Sequence, residues 1–143
     1  VVTPLCSMCD FTILDLPANQ SLASQAAVRL ADYVGLTVQP EHYCLEAAAV
    51  RLKQLKAWDV SPAFIGLVVV SRMASGYNVP MEEIRDRLDS RIIGVMPPAA
   101  EACAAAIAVG QPLVYHQPEQ IAALTLTEMA DRLSAASIEP MPL

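Results

Sequence analysis

The run Phe64-Ile65-Gly66-Leu67-Val68-Val69-Val70 constrains the fold more than any other feature, because it carries no polar side chain on either face. A strand that is apolar on both faces needs cover on both. That is the condition of a central strand in a parallel sheet with helices on each side. The run is far short of the ~20 apolar residues needed to cross a bilayer, so no stable membrane insertion is expected. Its surroundings agree. Short β-branched runs alternate with longer amphipathic stretches along the 143 residues, the pattern of parallel strands joined by crossover helices.

Strands are expected at Phe11–Asp15, stopped by Pro17; at Tyr33–Gln39, ended by Pro40; at Ala63–Val70; and at Arg91–Met96, closed by Pro97-Pro98. Leu113-Val114-Tyr115 reads as a further brief extended piece. A helix over about 20–31 takes Ser21 as its cap and Leu22, Ala26 and Leu30 as its apolar stripe. The next, about 41–58, buries Leu45, Ala48, Ala49, Leu52 and Leu55. Pro80 opens a short helix with Ile84 and Leu88, an alanine-rich helix over 99–109 ends at Gly110, and a last helix covers about 118–135. The expected architecture is one α/β domain in three layers, with a mainly parallel sheet of about four to five strands flanked by helices. Residues 1–9 form an extension and 136–143 a loose tail.

Charge narrows the function. The net charge is −6, only Lys53 and Lys56 are lysines, and no basic stripe interleaved with aromatics exists. A polyanion gains no general attraction from such a chain, so nucleic acid is not an expected partner. No basic stretch leads into an apolar core at the N-terminus, and no signal peptide is read there. Cys44 and Cys103 fall on apolar helix faces, where a thiol behaves as a small hydrophobe, which places the protein in a reducing cytoplasm. Cys6 and Cys9 have the spacing of a redox or metal pair. They lead into a strand rather than opening a helix, and His42, His116, Cys44 and Cys103 show no paired spacing to complete a zinc site. No metal site is expected.

Ligands of open parallel sheets bind beyond the carboxyl ends of the strands. Here those ends read Asp15-Leu16-Pro17, Gln39-Pro40-Glu41, Ser71-Arg72 and Pro97-Pro98. Their order and spacing resemble the MinD/ParA family of P-loop ATPases, over about residues 10 to 135. Asp-Phe-Thr-Ile-Leu-Asp-Leu-Pro (10–17) is similar to the family's strand ending in Asp-x-Pro, whose carboxylate helps to hold the nucleotide magnesium. The stretch 31–41 resembles the strand ending in Pro-Glu. Gly66 to Arg72 resembles the strand ending in Asn-Arg or Asn-Lys, with Ser71 in place of the asparagine that reads adenine. Ile92 to Pro97 is similar to the strand whose proline loop flanks the base, and Gly110-Gln111-Pro112-Leu113 to the turn that follows. The resemblance implies a partial SIMIBI-type P-loop NTPase fold, with a remnant nucleotide and magnesium site at Asp15, Ser71, Arg72 and Pro97.

The family's phosphate-binding loop ends in Gly-Lys-Ser/Thr, where backbone amides and a lysine hold the phosphates. The five glycines, at 35, 66, 76, 94 and 110, never precede a lysine, and both lysines lie within a helix. No catalytic residue is therefore assigned. The expectation is an ATPase-like regulatory module that works through protein partners, self-association included, and needs no cofactor as the isolated chain. ATP and magnesium are implied only if a missing half is present. Because the family's loop strand lies between the strands matching 11–15 and 33–39, those two are expected to pair directly, or the gap to be filled by 1–8 or by a second copy. Two other readings stay open: the C-terminal piece of a working ATPase, and an unrelated doubly wound enzyme binding a small molecule near Asp15 and Ser71.

Overall fold

The computed structural model describes residue 4 and residues 6–72 and 78–136. Among them a three-stranded parallel sheet is built from β1 (Val34–Val38), β2 (Ile65–Val70) and β3 (Arg91–Met96), in the order β1-β2-β3. Helices α1 (Leu22–Leu30), α2 (His42–Ala57), α3 (Met81–Leu88), α4 (Ala100–Ala108) and α6 (Ile121–Ala136) surround it, with a single helical turn, α5 (Leu113–His116), between the last two. The α/β class and the parallel sheet flanked by helices are as expected.

The central position of β2 follows from its side chains. Ile65, Leu67 and Val69 point to one face and are buried under α2 and α3, in a cluster with Leu45, Leu52, Leu55, Ile84 and Leu88. Removing a side chain such as Leu67 from water contributes roughly 1.5–3 kcal/mol, and four or five in one cluster hold that layer. On the opposite face α6 covers β3: a Cβ at Gly94 would lie 2.0 Å from Met129 Sδ. Arg132 Nη1 donates to the Ile93 carbonyl oxygen at 3.2 Å, fixing the same helix to the same strand. The β2–β3 register shifts between Leu67 and Val68, where Ile92 and then Gly94 are the partners, so Ile93 is the extra residue of a bulge.

The sheet has three strands among the described residues, not four to five. Phe11–Asp15 joins no ladder among the described residues, and β1 pairs there only with β2, so direct pairing of 11–15 with 33–39, one of the three expected arrangements, does not form. A strand needs a neighbouring backbone to satisfy its amides and carbonyls, and no described backbone bonds to this segment. Leu113-Val114-Tyr115 is helical rather than extended. The Tyr115 and His116 amides both donate to the Pro112 carbonyl, and this turn drives Leu113 into a small cluster with Ala106, Ala122 and Ala123.

Two burial expectations also change. In α1 the inward residues are Ser24, Ala27 and Val28, while Leu22 and Leu30 are exposed. Local hydrogen bonds set that phase: Ser21 caps the helix through the Ser24 amide at 3.0 Å, and Ser24 Oγ donates to Asn19 Oδ1. Arg29 on the outer side pairs with Asp59 at 2.5 Å. Cys103 is exposed on α4, while Cys44 is half-buried beside the main core, and no disulfide joins the four cysteines. The tail 137–143 and Gly76 lie outside the described residues.

Candidate functional site

The carboxyl ends of β2 and β3 form one ledge. The Ser71 amide donates to the Met96 carbonyl at 2.9 Å, which carries the ladder one residue past β2 and sets Ser71 beside Met96-Pro97. Ser71 and Pro97 are half-buried, and Arg72, next along the chain, is exposed. Beyond the ledge the chain turns into α4, and a shallow cleft opens between Pro98, Ala99, Ala100, Glu101, Ala102 and Gln120. Gln120 just precedes α6. Sequence reading missed it, since nothing in its neighbours marks the start of the last helix as facing the end of β3. At the adjacent strand end the Val79 amide donates to the Pro40 carbonyl at 2.8 Å, which ties Val79 to the chain just past β1.

Of the residues singled out in the sequence, Ser71 and Pro97 therefore come together, and Arg72 follows Ser71 exposed. Asp15 does not join them through any described contact; it is exposed at the end of the unpaired segment 11–15. No cluster of three His, Cys, Asp or Glu side chains suited to a metal ion occurs among the described residues. His42 is exposed near Glu83, at 3.8 Å, and Arg87, at 3.4 Å, on the outer side of α2 and α3.

Two phenols, Tyr43 and Tyr33, have shifted titrations. Tyr43 is pushed up to about 12 by a hydrogen bond to Glu41, whose charge opposes ionisation of the phenol. Tyr33 is raised because burial disfavours its anion, an effect that the nearby Arg91 guanidinium partly offsets. Its hydroxyl lies over Gly66 with no hydrogen-bond partner, 2.3 Å from where a Cβ on that glycine would stand. Gly66 is thus a position of close approach that admits no side chain while Tyr33 keeps this rotamer.

The described glycines lie within strands or, for Gly110 with φ +67°, at the end of α4, and Lys53 and Lys56 are exposed on α2.

No protein-family pattern and no curated protein matches the sequence. Solved structures do. The cell division ATPase MinD of Pyrococcus furiosus superposes with a TM-score of 0.78 at 25% identity, over 94% of this chain and 56% of that one. The fold is that of the MinD and ParA ATPases. The septum site-determining protein MinD of Pyrococcus horikoshii, complexed with Mg-ADP, superposes with a TM-score of 0.72 at 22% identity, over 90% of this chain and 52% of that one. A ParA family ATPase of Chlorobium tepidum TLS gives a TM-score of 0.80 at 19% identity, over 90% and 53%. The chain therefore spans about half the length of these MinD/ParA neighbours. No described helix is long and apolar enough to cross a membrane.

Proposed function

We propose that this 143-residue chain is an ATPase-like regulatory and protein-interaction domain on the MinD/ParA fold, which does not hydrolyse ATP by itself. The carrying observation is the distribution of glycine and lysine. Transfer of a phosphoryl group depends on donors preorganised around its oxygens. Here no glycine precedes a lysine, and the two lysines sit on the solvent side of a helix that packs on the sheet. Asp15 would be the residue left to approach a magnesium ion, and Ser71, Arg72 and Pro97 those left to approach a base. The residues present fit the base side of a nucleotide and do not fit its phosphates. The domain works in the cytoplasm through protein contacts, and nucleic acid is not its partner.

A second reading has its own support in the shared length. A chain matching about half of each neighbour is also what the C-terminal part of a functional MinD/ParA-type ATPase would be. In that setting ATP and magnesium would be the ligands, as Mg-ADP is for the Pyrococcus horikoshii protein. A phosphate-binding loop elsewhere in the same polypeptide would decide for it.

Nuclear magnetic resonance titrations test the proposal. Adenosine should shift the amide signals of Ser71, Arg72 and Ala99 to Ala102 at millimolar concentration. ATP with magnesium should bind no more tightly, because its phosphates meet nothing. ATP binding ten times more tightly than adenosine would refute the assignment, and shifts scattered away from this ledge would remove the base site.

A further inference from the structure

Helix α1 is held along α2 by an arginine at each end. At the leading end Arg51, on α2, reaches the loop that joins Asp15 to α1. Its Nη2 donates to the Ala18 carbonyl, and its Nη1 donates to the Asn19 carbonyl at 3.5 Å. Gln54 Oε1, one turn further along α2, accepts from the same Nη1 and so orients the guanidinium. Asn19 is gripped from its other side by Ser24 Oγ, which donates to Asn19 Oδ1 at 3.2 Å. Because Ser21 also caps the Ser24 amide, the loop and the first turn of α1 are one hydrogen-bonded piece. At the trailing end Arg29 donates to the Trp58 carbonyl at 3.1 Å and to Asp59 at 2.5 Å, just past α2. The two grips are in register. Ser21 to Arg29 and Arg51 to Trp58 each span roughly 10–12 Å of helix rise, so α1 lies beside the second half of α2 and runs in the same direction. Between the grips the side chains that α1 buries are small ones, Ser24, Ala27 and Val28. The arginines, rather than large interlocking side chains, therefore fix where α1 sits along α2.

We propose that α1 and the loop 16–20 form one movable unit, latched to α2 by Arg51 and Arg29, and that Arg51 is the positioning residue for Asp15. Sliding of one packed helix on another is an established way for a fold to hold two arrangements. The Arg29–Asp59 pair is exposed on both sides and of modest strength, as a latch that opens must be. Release at either end loosens the whole unit, because the loop, the Ser21 cap and α1 are bonded in series. A partner that grips α1 in its released arrangement therefore changes the position of Asp15. By linkage, a ligand held by Asp15 in the latched arrangement opposes that partner by the same factor. This last consequence rests on reading Asp15 as the residue left to approach magnesium; the latch itself does not.

Hydrogen exchange followed by nuclear magnetic resonance tests this on the 143-residue chain. In the parent, the amides of Gln25 to Leu30 should exchange through one common opening, more frequent than that of α2 and β2. Arg51→Ala should raise exchange at least threefold across all of Gln25 to Leu30, the far end included, with β3 and α6 unchanged. Arg51→Lys keeps the charge but not the fork across two carbonyls, and should behave as Arg51→Ala does. Asp59→Asn removes the partner charge of Arg29 and keeps a residue that accepts the left-handed φ of 64° found there. It should loosen α1 from the other end and lower the backbone order parameters of Leu16, Ala18 and Asn19. Effects confined to the altered end, full rescue by Arg51→Lys, or α1 amides that exchange in the parent only with global unfolding would each overturn the unit. The parent measurement needs no variant to fold. None of these readouts involves nucleotide or metal, so loss of the role assigned to Asp15 would leave the latch standing.

Discussion

Leu67→Ala should lower the unfolding free energy by about 2–5 kcal/mol, read as a fall in the denaturant midpoint at unchanged slope. Leu67 is wholly buried at the middle of the central strand, and the side chains around it come from α2 and α3 as well as from the sheet. Three elements must move together to collapse the space it leaves, so the cost falls at the upper part of that range. Folded domains of this size hold on the order of 5–15 kcal/mol, and the substitution removes a large share of it. Val95→Ala, on the same sheet but 43% exposed at the edge strand, provides the contrast and should cost under ~1 kcal/mol. Equal losses at the two positions would contradict the placement of the core.

The second large effect belongs to Gly94. A Cβ there would stand 2.0 Å from Met129 Sδ and 2.7 Å from its Cγ, inside van der Waals contact. Gly94→Val should cost about 1–3 kcal/mol through this overpacking, more than the strand propensity of valine returns. The methionine is flexible, so part of the clash is relieved by its side chain swinging aside and the rest by α6 lifting from β3. Hydrogen exchange should rise along α6 and not along α2, which packs on the other face. Met129→Ala in the same chain should recover at least half of the loss, since it removes the atoms that valine meets. Strictly additive costs for the two substitutions would mean that α6 does not lie over Gly94.

The three strands of the sheet were legible because their signals are local and redundant. A run apolar on both faces marks β2, and proline or Ser-Arg punctuates the end of each strand. The inner faces of α2 and α3 were legible for a related reason: their leucines and isoleucines recur at helical spacing against a polar remainder. In α1 the same spacing misled, because alanine fits either face and the hydrogen bonds of Ser21, Ser24 and Asn19 chose the phase. Phe11–Asp15 reads as a strand but joins no described sheet. Pairing, however, depends on a backbone neighbour, which no pattern inside the segment can report. Leu113 to Tyr115 carries β-branched and aromatic character, yet Pro112 and the small alanine cluster beneath it favour a helical turn.

For the candidate site, the Ser71 and Pro97 ledge was visible as strand ends in the right order. The juxtaposition is produced by one hydrogen bond, from the Ser71 amide to the Met96 carbonyl. Gln120 was invisible, because it reaches the ledge only through the packing of α5 and α6. Asp15 was prominent in the sequence, and no described ladder ties its segment to the ledge.

Calorimetric titration of the 143-residue chain with ATP and magnesium addresses the central claim most directly. A chain whose 143 residues carry no Gly-Lys-Ser/Thr should give no saturable heat at millimolar nucleotide. A saturable isotherm with micromolar affinity would contradict that, and with it the reading of this domain as inactive on its own.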